Sequence, residues 1–344
     1  MLQDGRSGDR VMARLGTASR QFWTLAVLTM LEAVRQPLFL LLTASALVLT
    51  SLTPVLAMHR FGEEGKLVRD SGLAFQFVFG LFIAGYAAST ALSQEMRRGT
   101  LLTVLSKPVG RTTLFLAKFA GVAASVTAFS ACAILTTLLS ERVAERFMTG
   151  EHLFGHITDW WTAVRLLAVP VVAFALAGVH HYRRKGPFTS WALLILLAGL
   201  VVVLLGSGFF DRGGRWAPYD MAVQWRIVPA GILVTVALIV LAAIAVSLST
   251  RLTTVPTVTI SALFFAVGLA AESFRGAAEQ PAACLAGLVR RIVPNWQHFW
   301  VCDALDNGGV IPAAYLADTA FYGAVLCAGI LFLGVLSFRS VDLK

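Results

Sequence analysis

The most informative group of charged side chains lies between two apolar blocks, in the stretch 94–111. Glu95, Arg97, Arg98 and Lys107 are charged, and none has a Ser, His or Cys partner at a spacing that suggests catalysis. Charges of this kind can bind an oppositely charged protein surface. Equally, they can form a basic connector that faces lipid headgroups. The residues alone leave both interpretations open.

The same stretch has the pattern of a short amphipathic helix. Gly99 and Thr100 mark a break, with Thr100 placed to cap the helix that follows, and Pro108 and Gly110 end it. Its apolar side would consist of Leu101, Leu102, Val104 and Leu105. A short helix fixed to the membrane segments on both sides could transmit force from a soluble partner.

Motifs for hydrolysis, nucleotide binding and metal binding are absent from the sequence. It contains no G-x-S-x-G elbow, no H-E-x-x-H helix and no P-loop, and the nearest glycine-rich run, 62–67, lacks the spacing and the hydroxyl residue. His152 and His156 supply only two imidazoles, too few to predict a zinc site. No catalytic residue, cofactor or metal is therefore predicted. Cys284 and Cys302 share one loop and could form a disulfide.

The composition excludes an ordinary soluble enzyme. Of 344 residues, 57% are hydrophobic and 14% are charged, whereas soluble domains carry about 25% charged residues. Eight blocks are long and apolar enough to cross a bilayer, which needs about 20 residues of helix. We therefore predict an all-α polytopic membrane protein with about eight spans, at 37–58, 73–93, 114–139, 164–182, 188–208, 228–249, 254–271 and 313–337.

The predicted spans carry almost no ionisable side chains. Asp318 lies near the start of the last span, and His180 and His181 lie at the end of the fourth. Proton-coupled carriers and voltage sensors keep charged groups deep in the membrane for function. The sequence argues against those classes, while a path for lipid-like or large substrates stays open.

Orientation follows from the basic residues of the loops. With the N-terminus inside, the inner side holds 16 of the 28 Lys and Arg residues and five of the 19 Asp and Glu residues. Both termini are then cytoplasmic. The predicted domains are a basic N-terminal segment (1–21), an interfacial elbow helix (22–36), a transmembrane domain (37–337) with a short amphipathic helix at about 94–112 and an external loop at about 272–312, and a cytoplasmic tail (338–344).

The run Glu95-x-x-x-Gly99-Thr100, followed by Leu105, Pro108, Arg111 and Lys118, resembles the pattern between the second and third spans of ABC-2 type transporter permeases. More narrowly it resembles the multi-copper enzyme maturation permease branch. Four further segments are similar to that family, namely Glu32-x-x-Arg35-x-Pro37, Leu248–Arg251, Pro294–Trp296 and Phe338–Leu343.

This resemblance implies that 37–337 is a permease domain with its coupling helix at about 94–112. The permease would work with a second permease and with a separate ATP-binding cassette subunit, which would hold ATP and Mg²⁺. The implied contacts with the ATPase are Glu95, Arg97, Arg98, Gly99, Thr100, Pro108 and Arg111. A prokaryotic inner membrane is the expected location, with membrane lipids as further partners and no nucleic acid. The family usually has six spans, so 164–182 and 188–208 would be an extra pair.

Two other functions stay open from the sequence. A membrane anchor or signalling subunit would couple to the ATPase without moving a substrate. A membrane-embedded enzyme would show activity in the purified chain alone, and changing one polar residue would abolish that activity.

Overall fold

The computed structural model describes residues 4–56, 65–94, 96, 110–149, 154–273 and 294–340, with side chains described for most of them from Ser19 onward. Helices dominate, and one short antiparallel hairpin pairs Arg146 with Ile157. The α-helices of the described residues are α1 (Asp4–Arg35), α2 (Pro37–Leu56), α3 (Lys66–Ser89), α4 (Arg111–Val143), α5 (Trp160–Arg184), α6 (Phe188–Ser207), α7 (Ile227–Leu248), α8 (Thr254–Ser273) and α9 (Ala313–Arg339). The strands are β1 (Arg146–Thr149) and β2 (Phe154–Ile157).

The prediction of an all-α polytopic membrane protein is confirmed. Each of the eight predicted spans is a helix, and in the described ranges seven, α2 to α7 and α9, are long and apolar enough to cross a bilayer. The eighth, α8, has a shorter apolar part, Thr254–Leu269.

The helix ends follow from local chemistry. Pro37 begins α2, where its missing N–H costs nothing. The Asp159 carboxylate caps α5, because its Oδ1 accepts from the Thr162 N–H at 2.9 Å. After α5 the chain turns through Lys185 in the left-handed conformation.

The centre of the bundle is α3 packed between α4 and α7, with small residues where the helices approach. A Cβ added at Gly80 would lie 2.4 Å from Leu238, and one at Gly72 would lie 2.6 Å from Thr137. Polar contacts also join α3 and α7, since the Gln76 side-chain nitrogen donates to the Gly231 carbonyl at 3.1 Å and to Thr235 Oγ1 at 3.2 Å. Small residues allow such close approach, and van der Waals packing replaces the hydrophobic effect inside a membrane.

Helix α1 lies against α4. Ala26, Thr29 and Ala33 are buried, while Trp23 and Val27 on the other side are exposed. This exposed apolar side suits the interfacial position predicted for 22–36. The observed helix is longer than that prediction, since it extends back to Asp4.

Contacts between connecting segments divide the bundle into two ends. At one end, Ser89 contacts Thr254 and Arg111 contacts Arg339. At the other end, Arg142 contacts Asp159. Successive helices therefore begin and end at opposite ends of the bundle, as the predicted spans require. We call them the inner and the outer end, after the predicted orientation.

Gly121→Ala tests the docking of α1 onto α4. The added methyl would lie 2.5 Å from the Thr29 side chain and 2.6 Å from the Ala26 carbonyl. Because overpacking costs about 1–3 kcal/mol, we expect a lower melting temperature in detergent. Gly178→Ala is the control, since nothing lies within 4 Å of its added Cβ. Equal melting temperatures for the two variants would contradict the packing described.

Candidate coupling site and outer cavity

Most of the predicted coupling residues lie outside the described residues, namely Glu95, Arg97, Arg98, Gly99, Thr100 and Pro108. Arg111 is described and is the first residue of α4. The structure therefore informs the coupling site through the helix ends on both sides of it.

On the α3 side, the regular helix ends at Ser89 and continues as a π-helical turn, Thr90–Gln94. Such turns are rare and occur often at functional sites. Immediately before it, the Ser89 hydroxyl donates to Thr254 Oγ1 at 2.7 Å, which ties α3 to the start of α8. The chain thus enters the coupling segment from an irregular turn held by a neighbouring helix.

On the α4 side, Arg111 binds the C-terminal end of α9. Its Nη1 donates to the Arg339 carbonyl at 3.3 Å, and Arg339 Nη2 donates back to Thr112 Oγ1 at 2.9 Å. The rings of Phe115 and Phe338 pack nearby, 5.9 Å between centroids. A cation at the end of α9 is also favoured by the helix dipole.

A third segment joins the same place, the turn between α7 and α8. Arg251 Nε donates to Ser337 Oγ at 3.3 Å, and its Nη2 donates to Ser340 Oγ at 2.7 Å. We call this arrangement the inner clamp, which consists of Arg111, Thr112, Arg251, Ser337, Arg339 and Ser340. The resemblance drew attention to the segments of all three arginines, but only the structure shows that they meet.

The predicted elbow helix, which is the second half of α1, is also joined to α4 by two residues of the segments that resemble the family. Lys118 Nζ lies 3.7 Å from Glu32 Oε2. The Lys118 side chain is buried, and Glu32 is partly exposed. This pair fixes α1 beside the segment of α4 that follows the coupling site.

The outer end holds a buried charged cluster that sequence reasoning did not single out. Arg142, only 1% exposed, lies 3.1 Å from Asp159 through its Nε. Its Nη2 donates to the Phe210 carbonyl at 2.8 Å, and its Nη1 donates to the Met221 carbonyl. One guanidinium thus joins the end of α4, the start of α5 and the loop after α6.

Arg212 extends this cluster. Its Nη1 donates to the carbonyls of Ala144 at 2.9 Å and Ile157 at 3.3 Å. Burial lowers the pKa of the Arg212 guanidinium, and the nearby Arg146 lowers it further. Arg146 in turn pairs with Glu141. We call Arg142, Asp159, Arg212, Glu141 and Arg146 the outer lock.

An apolar cavity of about 250 Å³ opens at the outer half of the bundle. Trp296, which lines it, is buried, and its indole N–H has no partner among the residues that the structure describes. Phe265 and Phe299 pack on the Trp296 ring at centroid distances of 5.7 Å and 6.1 Å. The remaining lining residues are Ala74, Phe77, Val78, Leu269 and Trp300.

The sequence also placed His180, His181 and Asp318 near the ends of predicted spans, and the structure describes all three. His181 Nδ1 donates to the Gly186 carbonyl at 2.6 Å, and His180 packs on Trp191 at 4.1 Å between ring centroids. These contacts shape the turn between α5 and α6. Asp318 is exposed on α9. The proposed pairing of Cys284 with Cys302 involves a residue outside the described ranges.

Residues 30–185 match the model of the ABC-2 family transporter proteins. The chain carries an ABC-2 transporter domain. The matched range includes α2, α3, the coupling segment, α4 and α5, and it ends in the turn before α6. It therefore includes the first helix of the pair that we expected to be extra.

The match, together with the seven apolar helices of the described ranges, indicates a multi-pass membrane protein with an ABC-2 family domain over residues 30–185. It is to the ABC-2 family as a whole, so the multi-copper enzyme maturation branch stays a prediction. The comparison with curated proteins gives no match.

Arg142→Met tests the outer lock. The change leaves the Asp159 carboxylate buried without its guanidinium, and breaking such a pair costs about 3–5 kcal/mol. We expect a large drop in melting temperature, with little folded protein recovered. Arg215→Met removes an exposed arginine of the same outer loop and should leave the melting temperature close to that of the wild type. A similar small effect of both changes would show that the buried pair does not hold the outer end together.

Proposed function

We propose that this chain is the membrane permease subunit of an ABC-2 type transporter, driven by ATP hydrolysis in a separate ATP-binding cassette subunit. The observation that carries the proposal is the family match over 30–185, which includes the coupling segment and both helices attached to it. A second permease, either a copy of this chain or a related one, completes the proposed complex. The inner end, with both termini, faces the cytoplasm of a prokaryotic cell.

The anchoring of the helix ends supports a coupling role for 94–112. Movement of this segment would act on α3 at its π-helical turn and on α4 at Arg111. The Ser89–Thr254 bond would pass the displacement to α8, and the inner clamp would pass it to α9. A local push by the ATPase would therefore reorient several helices together.

The charge of the inner clamp fits the same proposal. Arg111, Arg251 and Arg339 converge beside the coupling segment. The side chains of Arg251 and Arg339 donate to hydroxyl groups, which do not neutralise their positive charge. An acidic surface on the ATPase subunit would complement this charge, which also favours rapid association.

The outer cavity supports a proposal about the chemistry of the substrate. Its walls are aromatic and aliphatic, so it would take an apolar part of a molecule. The Trp296 N–H offers one hydrogen bond to an acceptor on that molecule. We therefore propose a substrate with an apolar body and at least one oxygen acceptor.

The double variant Arg97→Glu/Arg98→Glu tests the coupling site. Reversing two charges should repel an acidic ATPase surface, where each desolvated contact contributes about 1.5–3 kcal/mol. We expect normal membrane insertion, with at least tenfold weaker recovery of the ATPase in a detergent pull-down followed by mass spectrometry. Arg215→Glu on the outer loop is the control. Full recovery of the ATPase by the double variant would reject this docking role.

A second experiment separates a transporter from a non-transporting anchor. The complete complex, reconstituted in liposomes, is screened with amphipathic and with fully charged solutes for stimulation of ATP hydrolysis. We expect stimulation by amphipathic solutes only, and its loss in Ala74→Phe, which fills the cavity. Basal hydrolysis should stay unchanged. If no solute stimulates hydrolysis or is transported, the anchor function is favoured.

A further inference from the structure

The hairpin of α5 and α6 presents an apolar stripe to its surroundings. Along α5 the stripe recurs at helical spacing, and it consists of exposed Val164, Val171, Val172, Leu176 and Val179. The opposite side of α5, which includes Leu166 and Ala173, is buried against the bundle. Since α5 is long and apolar enough to span a bilayer, the stripe suits contact with lipid chains.

Aromatic residues mark both ends of this stripe. Trp160 and Trp161 are exposed at the outer end, and Tyr182 is 89% exposed at the inner end. At 1.5 Å per residue, Trp161 and Tyr182 are about 32 Å apart along the axis, close to a hydrocarbon thickness of about 30 Å. Such aromatics lie at the headgroup boundary.

Three cations follow directly beyond that boundary. Arg183, Arg184 and Lys185 are exposed, and Arg183 continues the lipid-facing stripe one turn after Val179. No Asp or Glu occurs between Asp159 and Asp211 in the sequence. Within the described ranges no carboxylate pairs with these three side chains.

The backbone of the turn holds the third cation in a strained conformation. Lys185 adopts φ 51°, a left-handed conformation that disfavours residues with a Cβ and that glycine adopts freely. Gly186 lies one position later, so the glycine does not relieve the strain. The His181–Gly186 and His180–Trp191 contacts hold the turn in this shape.

We propose that the turn 180–187 binds the phosphate of an anionic membrane lipid, whose acyl chains lie along the α5 stripe. Arg183, Arg184 and Lys185 supply the charge, and Tyr182 lies at the level of the lipid glycerol backbone. The bound lipid anchors the hairpin at a fixed depth. The proposal does not depend on the transport function.

The test measures lipid-dependent stabilisation of the full chain in detergent. Phosphatidylglycerol and phosphatidylcholine are titrated separately, with melting temperature and native mass spectrometry as readouts. We expect stabilisation by phosphatidylglycerol, and about fivefold weaker binding for each cation removed, which corresponds to about 1 kcal/mol. The variants are Arg183→Gln and Arg183→Gln/Arg184→Gln, with Arg215→Gln on the outer loop as control.

Lys185→Gly distinguishes binding from a structural role. Glycine relieves the left-handed strain, so the melting temperature without lipid should rise, while the stabilisation by phosphatidylglycerol should fall. If the two quantities change in the same direction, the role of Lys185 is structural and the lipid contact is rejected for it.

Three results would overturn the proposal. The first is unchanged phosphatidylglycerol binding by the Arg183→Gln/Arg184→Gln variant. The second is equal stabilisation of the wild type by inorganic phosphate alone, which would indicate a free anion site. The third is that the same variant keeps its lipid preference but recovers less of the ATPase subunit, which would make the turn a protein contact.

Discussion

A bilayer offers no water to polar groups, and this constraint governs the arrangement of the helices. Many hydroxyl side chains inside the spans donate to carbonyls of their own helix, as at Thr43, Thr50, Ser51, Thr136 and Thr137, where the carbonyl lies four residues earlier. They therefore need no partner on another helix. Close contact between helices depends on small residues such as Gly72 and Gly80, which let α3 approach its neighbours.

The same constraint moves charge to the two ends of the bundle, where it connects segments distant in sequence. At the outer end, Arg142 joins three segments and is buried with Asp159. At the inner end, the arginines of the clamp bind hydroxyls and carbonyls and stay partly solvated. Removing one partner of the buried outer pair is costly, whereas the exposed inner contacts can rearrange with little loss. The outer end is suited to hold its shape, and the inner end is suited to move.

This asymmetry is consistent with the proposed function, in which a separate ATPase would drive the permease from the inner end. The proposed movement starts at 94–112, reaches α8 and α9 through the inner contacts, and opens or closes the cavity beside Trp296. In the further proposal, the hairpin of α5 and α6 contributes differently, since it would hold the bundle at a fixed depth through a lipid phosphate. A fixed reference in the membrane would let the other helices move relative to it.

The sequence by itself determined the membrane class, the eight apolar helices and their boundaries to within a few residues for most, because hydrophobic length is a local property of the chain. It also identified the ABC-2 resemblance at Gly99–Thr100. Contacts between distant residues could not be predicted, since Arg111 with Arg339, or Arg142 with Asp159, carries no signal in local periodicity. The strained Lys185 and the cavity beside Trp296 likewise depend on how helices meet. Tertiary packing alone decided these features, because each depends on contacts that form only when the chain folds.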